Sequence, residues 1–143
     1  MTRIRLVREA DTEAIVALWH AVFAEYRDAS RPHRDPRANI ARKIAFGDEL
    51  FFLAERDGAV LGTVMAGYDG HRGWLYSLAV DAAERRTGIG RALLVRAEAA
   101  LQARGCPKVN LQVSTQNEGA RAFWRAAGYV PDDVISLGRR LAR

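Results

Sequence analysis

An internal disulfide or a multi-cysteine metal centre is excluded at once, because the chain holds a single cysteine, Cys106, and either device needs more than one thiol. Lysine is almost as scarce. Of 22 basic residues only Lys43 and Lys108 are lysines, and all the others are arginines. Long apolar runs are missing too. The most apolar stretch, Ala59 to Gly67, is half the length of a membrane span, which takes roughly 20 residues. The N-terminal Met1-Thr-Arg-Ile-Arg-Leu-Val-Arg8 lacks the apolar core of a secretory signal. There is no internal repeat, low-complexity tract or linker. A soluble, cytoplasmic protein without a metal and without a membrane partner is the expectation.

What is present reads as globular. The 143 residues are 49% hydrophobic and 27% charged, which suits one domain spanning 1–143. The net charge is +5 and the pI about 10.0, so an acidic or phosphorylated ligand is a natural partner. Nucleic acid is disfavoured, because the arginines are scattered and no base-stacking aromatic motif accompanies them.

The residue pattern predicts a strand over 3–7 and a helix over 12–26. Asp11 is that helix's N-cap, and Ile15, Leu18, Trp19 and Val22 form its apolar stripe. An exposed loop over 27–36 leads to a helix that starts at Asp35-Pro36, buries Ile40 and Ile44 and stops at Gly47. Phe51–Glu55, Ala59–Tyr68 and Trp74–Val80 form a meander, its first turn marked by Asp57-Gly58. A helix over 88–103, a strand over 109–113 and a helix capped by Asn117 and closed by Gly128 follow. Tyr129-Val130 and Val134–Leu137 suit a closing hairpin. The order β-α-α-β-β-β-α-β-α-β-β describes an α/β fold, a mixed sheet of about six or seven strands flanked by about four helices.

Chemistry concentrates in Arg85-Arg86-Thr87-Gly88-Ile89-Gly90-Arg91, between a buried strand and a helix. Two glycines let a ligand approach the backbone. The first turn of a helix offers unpaired N–H groups and the positive end of its dipole. Together with Arg85, Arg86 and Arg91 this suits a pyrophosphate; the same residues also suit a tight strand-to-helix turn with surface arginines. No Gly-Lys-[Ser/Thr] follows, which excludes a Walker A loop. Gly-Ile-Gly is only the first half of a dinucleotide fingerprint, whose third glycine is replaced by Leu93.

Arg85-x-x-Gly88-x-Gly90, placed after Ser77-Leu-Ala-Val80-Asp81, resembles the acyl-CoA motif of the GNAT acetyltransferases. Asn117-Glu-Gly-Ala120-Arg-Ala-Phe123-Trp124-Arg-Ala-Ala-Gly128-Tyr129 resembles the same superfamily's second motif. The element order agrees over essentially the whole chain. Tyr68–Trp74, Gly105–Val113 and Leu137–Leu141 look like its YpeA-type branch. The resemblance implies an N-acetyltransferase that moves acetyl directly from acetyl-CoA to an amine. Leu78, Ala79 and Val80 would then bond the pantetheine arm through their backbones. Arg85, Arg86, Thr87, Gly88, Ile89, Gly90 and Arg91 would surround the pyrophosphate. Asn117, Ala120, Phe123 and Trp124 would line the other side of the arm.

The attacking amine must be neutral although an ordinary lysine amine has a pKa of about 10.4, so a base or a desolvating pocket is required. Tyr76 is the leading catalytic candidate, with Glu55 and His71 behind it. Trp124 departs from the family, which usually places there a tyrosine that protonates the leaving thiolate. An indole N–H is no practical acid. That substitution keeps open a non-catalytic acyl-CoA-binding module. The acceptor pocket is expected among residues 23–50 and the strand hairpins. A small amine or amino-acid-like acceptor with its own anionic group suits the charge balance. A homodimer is left open as the commonest soluble assembly.

Overall fold

The computed structural model describes residues 1–28, 30 and 35–141. The loop expected over 27–36 therefore lies partly outside the described residues. The chain divides into two compact units, Met1–Gln112 and Val113–Arg143.

The first unit is built on a sheet in the order β1-β2-β3-β4-β5. Its strands are β1 (Arg3–Leu6), β2 (Phe51–Arg56), β3 (Ala59–Tyr68), β4 (Gly73–Val80) and β5 (Val109–Leu111). β1 to β4 run antiparallel, and β5 lies parallel to β4. Asp57 and Gly58 both adopt left-handed φ, 52° and 81°, as a two-residue turn matched to strand twist requires. The helices of this unit are α1 (Thr12–Val22), α2 (Pro36–Phe46) and α3 (Ile89–Ala103).

Alternation along β3 assigns the helices to opposite faces. Thr63 accepts a hydrogen bond from the Trp19 indole of α1. The neighbouring Gly62 faces Leu93 and Ile89 of α3. On the first face Ile15, Trp19, Ile40, Phe51 and Leu53 form the core. On the second, Leu93, Leu94, Ala97 and Leu101 of α3 are buried. Each large apolar side chain removed from water in this way contributes about 1.5–3 kcal/mol.

Two local expectations change. α1 ends at Val22 rather than at 26, Phe23 is extended, and residues 24–27 form a 3-10 turn. In a continuous helix residues 19 and 26 would be about 10 Å apart along the axis. The turn instead stacks the Tyr26 ring on Trp19 with centroids 5.5 Å apart, so aromatic packing outweighs further helix. Asp11 caps no helical N–H with its side chain. Its carboxylate accepts both Arg5 terminal nitrogens at 2.8 Å and the Arg8 N–H at 2.7 Å. Arg5 also donates to Glu55, so one guanidinium joins β1, β2 and the entry to α1.

The second unit contains α4 (Glu118–Ala126). The closing hairpin expected at Tyr129-Val130 and Val134–Leu137 does not form, and the described strands number five rather than six or seven. A lone two-stranded hairpin is marginal in water, and within this unit no further strand is present to pair with it.

The Arg5 guanidinium holds the Asp11 carboxyl below its ordinary value of 3.8. Such a depressed acid stabilises the fold above that value and loses the contribution as pH falls through its folded pKa. Asp11→Asn should therefore cost about 1–3 kcal/mol at pH 7. In urea titrations across pH, the gap to wild type should close as the solution is acidified below pH 3.8. A gap that persists unchanged in acid would show that the charge is not its source.

Candidate active site

β4 begins as an inner strand and ends with an open edge. It pairs with β5 only at Gly73, Trp74 and Leu75, opposite Val109, Asn110 and Leu111. From Tyr76 to Val80 no strand of this unit lies on that side, while β3 continues on the other. The change coincides with a bulge, where the β3–β4 register shifts between Thr63 and Met65. Ser77 takes a left-handed φ of 53° there, a conformation that costs a non-glycine residue on the order of 1–3 kcal/mol.

The bulge is held from the core side. The Trp19 Nε1–H donates to Thr63 Oγ1 at 2.9 Å, and the Thr63 hydroxyl donates onward to the Ser77 carbonyl at 2.9 Å. Trp19 and Thr63 are both fully buried. The simple alternation that would align Tyr76 with Leu78 and Val80 is interrupted by this extra residue.

Beyond Val80 the chain turns into the loop expected to hold an anion. The Asp81 carboxylate accepts the Ala83 N–H at 2.9 Å, and the Thr87 hydroxyl donates to the Glu84 carbonyl at 2.5 Å. Glu84 is fixed in turn by Arg56 at 2.6 Å. Arg86 and Gly88 are left-handed, with φ of 65° and 91°. Gly88 precedes α3 without capping it, and the first intrahelical bond runs from Ala92 N–H to the Gly88 carbonyl. The N–H groups of Ile89 and Gly90 thus belong to the uncapped first turn, where the helix dipole favours an anion. Arg85, Arg86, Thr87 and Arg91 are exposed around it, and Ile89 is buried beneath.

Gly62 sets how closely this loop approaches the sheet. A Cβ there would lie 2.8 Å from the Ala79 carbonyl oxygen and 3.0 Å from Leu93. Its absence lets the first turns of α3 sit against β4. The sequence pattern gave no prominence to Gly62 or Thr63, although Thr63 is the one polar residue between Val60 and Met65.

On the α1–α2 face, Tyr76 and Ser77 border a groove of about 420 Å³, a size suited to a small molecule. Trp19, Tyr26 and Phe46 give it aromatic walls and Met65 an apolar floor, and Arg42 and Lys43 supply its charge. No carboxylate and no imidazole is among its described lining residues. Tyr76 is 49% exposed. Burial, assisted by the Asp69 charge, raises its phenol above the ordinary 10.0, so at neutral pH Tyr76 is a hydrogen-bond donor rather than a base.

The other two base candidates are not among the described lining residues of the groove. Glu55 accepts from Arg3 and Arg5 on the β1 side of the sheet. His71 lies in the exposed β3–β4 turn, where its backbone N–H and that of Arg72 donate to Asp69 at 2.8 Å. Leu78, Ala79, Val80 and the 85–91 loop come together in the first unit. Asn117, Ala120, Phe123 and Trp124 belong to the second. There Asn117 caps α4 through Ala120 N–H at 3.0 Å. The Trp124 ring packs edge-on between Phe123 and Tyr129, with centroids 5.2 and 5.1 Å away.

Thr63→Val removes the hydroxyl that joins Trp19 to Ser77 while keeping nearly the same volume. It should destabilise the fold by about 1–3 kcal/mol in urea titration, because a buried indole N–H loses its acceptor. Hydrogen exchange at residues 76–80 should quicken at the same time. Wild-type stability and exchange in the variant would remove the relay from the account.

Among the described residues no helix is long and apolar enough to cross a membrane, and no cluster of His, Cys, Asp and Glu is placed to hold a metal. The chain matches the family described as acetyltransferase (GNAT) over residues 16–129. It is 42% identical over 138 residues to an acetyltransferase of Yersinia enterocolitica, covering 96% of this chain and 94% of that one. A crystal structure of a GCN5-related N-acetyltransferase from Ralstonia eutropha shares 28% identity, with a TM-score of 0.76 over 97% of this chain and 99% of that one. The PaiA N-acetyltransferase from Thermoplasma acidophilum, solved in complex with coenzyme A, gives a TM-score of 0.82 at 20% identity over 94% of this chain and 93% of its own. With an open-edged β4 leading into an uncapped, arginine-flanked helix start, and with these likenesses along its length, the chain belongs to the GNAT acetyltransferase family.

Proposed function

We propose that the protein transfers the acetyl group of acetyl-CoA to the amine of a small, amino-acid-like acceptor. One observation carries the reading: β4 loses its neighbour at Tyr76, between the groove at one end of the open edge and the anion loop at the other. An extended amide-bearing arm is the ligand that such an edge complements, since it can satisfy backbone groups as a strand would. Leu78, Ala79 and Val80 are its proposed partners. Arg85, Arg86, Thr87, Gly88, Ile89, Gly90 and Arg91 are the proposed pyrophosphate cradle, and the space beside Gly88 is open within 4 Å of a Cβ built there. Asn117, Ala120, Phe123 and Trp124 enter the reading through the family motif alone. The family match extends across both units, which supports treating 1–143 as one functional domain.

The acceptor amine attacks the thioester carbonyl carbon, a C–N bond forms, the C–S bond breaks, and the amine proton is released. Backbone N–H groups on the open edge of β4 would stabilise the oxyanion. Tyr76 is the proposed catalytic residue, acting as a neutral phenol that donates a hydrogen bond to the reacting groups. The thiolate, with a pKa of about 8.5, leaves without a strong acid, so an indole at Trp124 does not prevent turnover.

The groove also bears on how the amine becomes neutral. It offers no carboxylate or imidazole as a base, but a positive field and partial desolvation both lower the pKa of an incoming amine. The same field opposes a polyamine or a lysine-rich tail.

Calorimetry with acetyl-CoA tests the cofactor half. Gly88→Val places a branched side chain at a left-handed position and beside the proposed phosphates, and should weaken binding by about tenfold or more. Equal affinity in both proteins would rule out the loop. The proton half is tested by pH profiles of kcat/KM. Its rising limb should shift from one acceptor to another with the acceptor's own amine pKa. Tyr76→Phe should lower kcat by about 100-fold without moving that limb. A limb fixed for all acceptors and abolished by Tyr76→Phe would restore Tyr76 as the base.

A further inference from the structure

We propose that Arg42 is the anion-recognition residue of the groove and selects acceptors in which the reactive amine is accompanied by a carboxylate. The inference rests on the acetyl-transfer reading and names the substrate class of that site.

Several arginines of the first unit are paired with acids. Arg5 takes Asp11 and Glu55, Arg37 takes Glu13 at 2.7 Å, and Arg56 takes Glu84 at 2.6 Å. Like Arg27 and Arg104, which donate to backbone carbonyls, Arg42 is not among them. Its guanidinium donates to the neutral side-chain oxygen of Asn39, and no described acid pairs with it. The adjacent Lys43 is already compensated, donating to Asp48 at 2.7 Å and to the Ala66 carbonyl at 2.6 Å. Arg42 is therefore the cation of the groove that no described carboxylate satisfies. Asn39 fixes one face of the fork, and the remaining N–H groups suit a planar carboxylate in two-point contact.

Phe46 completes the class. It stands four residues after Arg42 on the same side of α2, lines the groove and is 75% exposed. An exposed aromatic ring, with Lys43 Nζ 5.7 Å from its centroid, beside a guanidinium without a described acid partner fits an acceptor with an apolar body next to its carboxylate. Free amino acids with apolar side chains, and short peptides ending in them, have that chemistry.

The test uses the full chain and matched probes: leucine and phenylalanine, each with its C-terminal amide and its decarboxylated amine. Binding is followed without coenzyme by nuclear magnetic resonance, and acetylation by thiol release from acetyl-CoA. The acids should bind and react at least about tenfold better than their amides. Arg42→Ala should erase that preference by raising KM for the acids at least about tenfold more than KM for the amides. Arg42→Lys should restore part of it. Acids that bind no better than amides, or a preference that survives Arg42→Ala, would overturn the inference. Coenzyme A affinity, measured separately by calorimetry, distinguishes this failure from that of the acetyl-transfer reading. Loss of the acid preference with coenzyme binding intact refutes the role of Arg42 alone. Wild-type protein that binds the acids through Arg42 but no coenzyme refutes the acetyl-transfer reading instead.

Discussion

A buried threonine hydroxyl links the core of this molecule to its site. Thr63 receives the Trp19 indole proton and gives its own to the Ser77 carbonyl, so its donor and one acceptor position are both committed. A buried hydroxyl without partners would be costly, which makes this geometry sharply preferred. What it fixes is a left-handed residue in β4, at the point where the strand leaves β5. The packing of α1 that buries Trp19 therefore also sets where the open edge of β4 begins. The strain at Ser77 persists because hydrogen bonds on the core face over-determine it.

Two glycines extend the same constraint into the loop, in different ways. Gly62 acts through what is missing, since any side chain would meet the Ala79 carbonyl and push back the first turns of α3. Gly88 acts through its backbone, because its φ of 91° is open to glycine and strained for other residues. The first brings the helix close to β4, and the second lets that helix start without a side-chain cap. An N-terminus left uncapped at an exposed turn retains its donors and its dipole for a ligand.

Features legible in the sequence were those whose physics is local. Asp35 caps α2 through Arg37 N–H and Asn117 caps α4 through Ala120 N–H, as their types and positions predicted. Asp57-Gly58 makes its hairpin turn, with both residues left-handed. The end of α1 was not legible, because it depends on a Trp19–Tyr26 stack that only folding brings about. Nor was the role of Asp11, whose partner Arg5 lies on the preceding strand and outcompetes an ordinary cap. The groove draws Tyr26, Arg42, Met65 and Tyr76 from four separate elements, so no motif announces it. The alternation that grouped Tyr76 with Leu78 and Val80 failed at a bulge that has no sequence signature apart from Thr63 across the ladder.

The scarcity of lysine has a chemical consequence for an acetyltransferase. Guanidinium groups stay protonated throughout the physiological range, so arginines supply positive charge without presenting a competing nucleophile. In the proposed site, Arg85, Arg86 and Arg91 would surround the acyl donor, and Arg42 would face the acceptor, without becoming acceptors themselves. Lys43 is the one side-chain amine in the groove, and it is not free. Its Nζ donates to Asp48 and to the Ala66 carbonyl, contacts that use the protons an attacking amine would have to shed. The bond to Ala66 holds the end of α2 to β3, so the groove wall is braced by the group that would otherwise compete for acetyl. A free amine entering the groove meets no carboxylate among its described lining residues, and that difference separates a substrate amine from the protein's own.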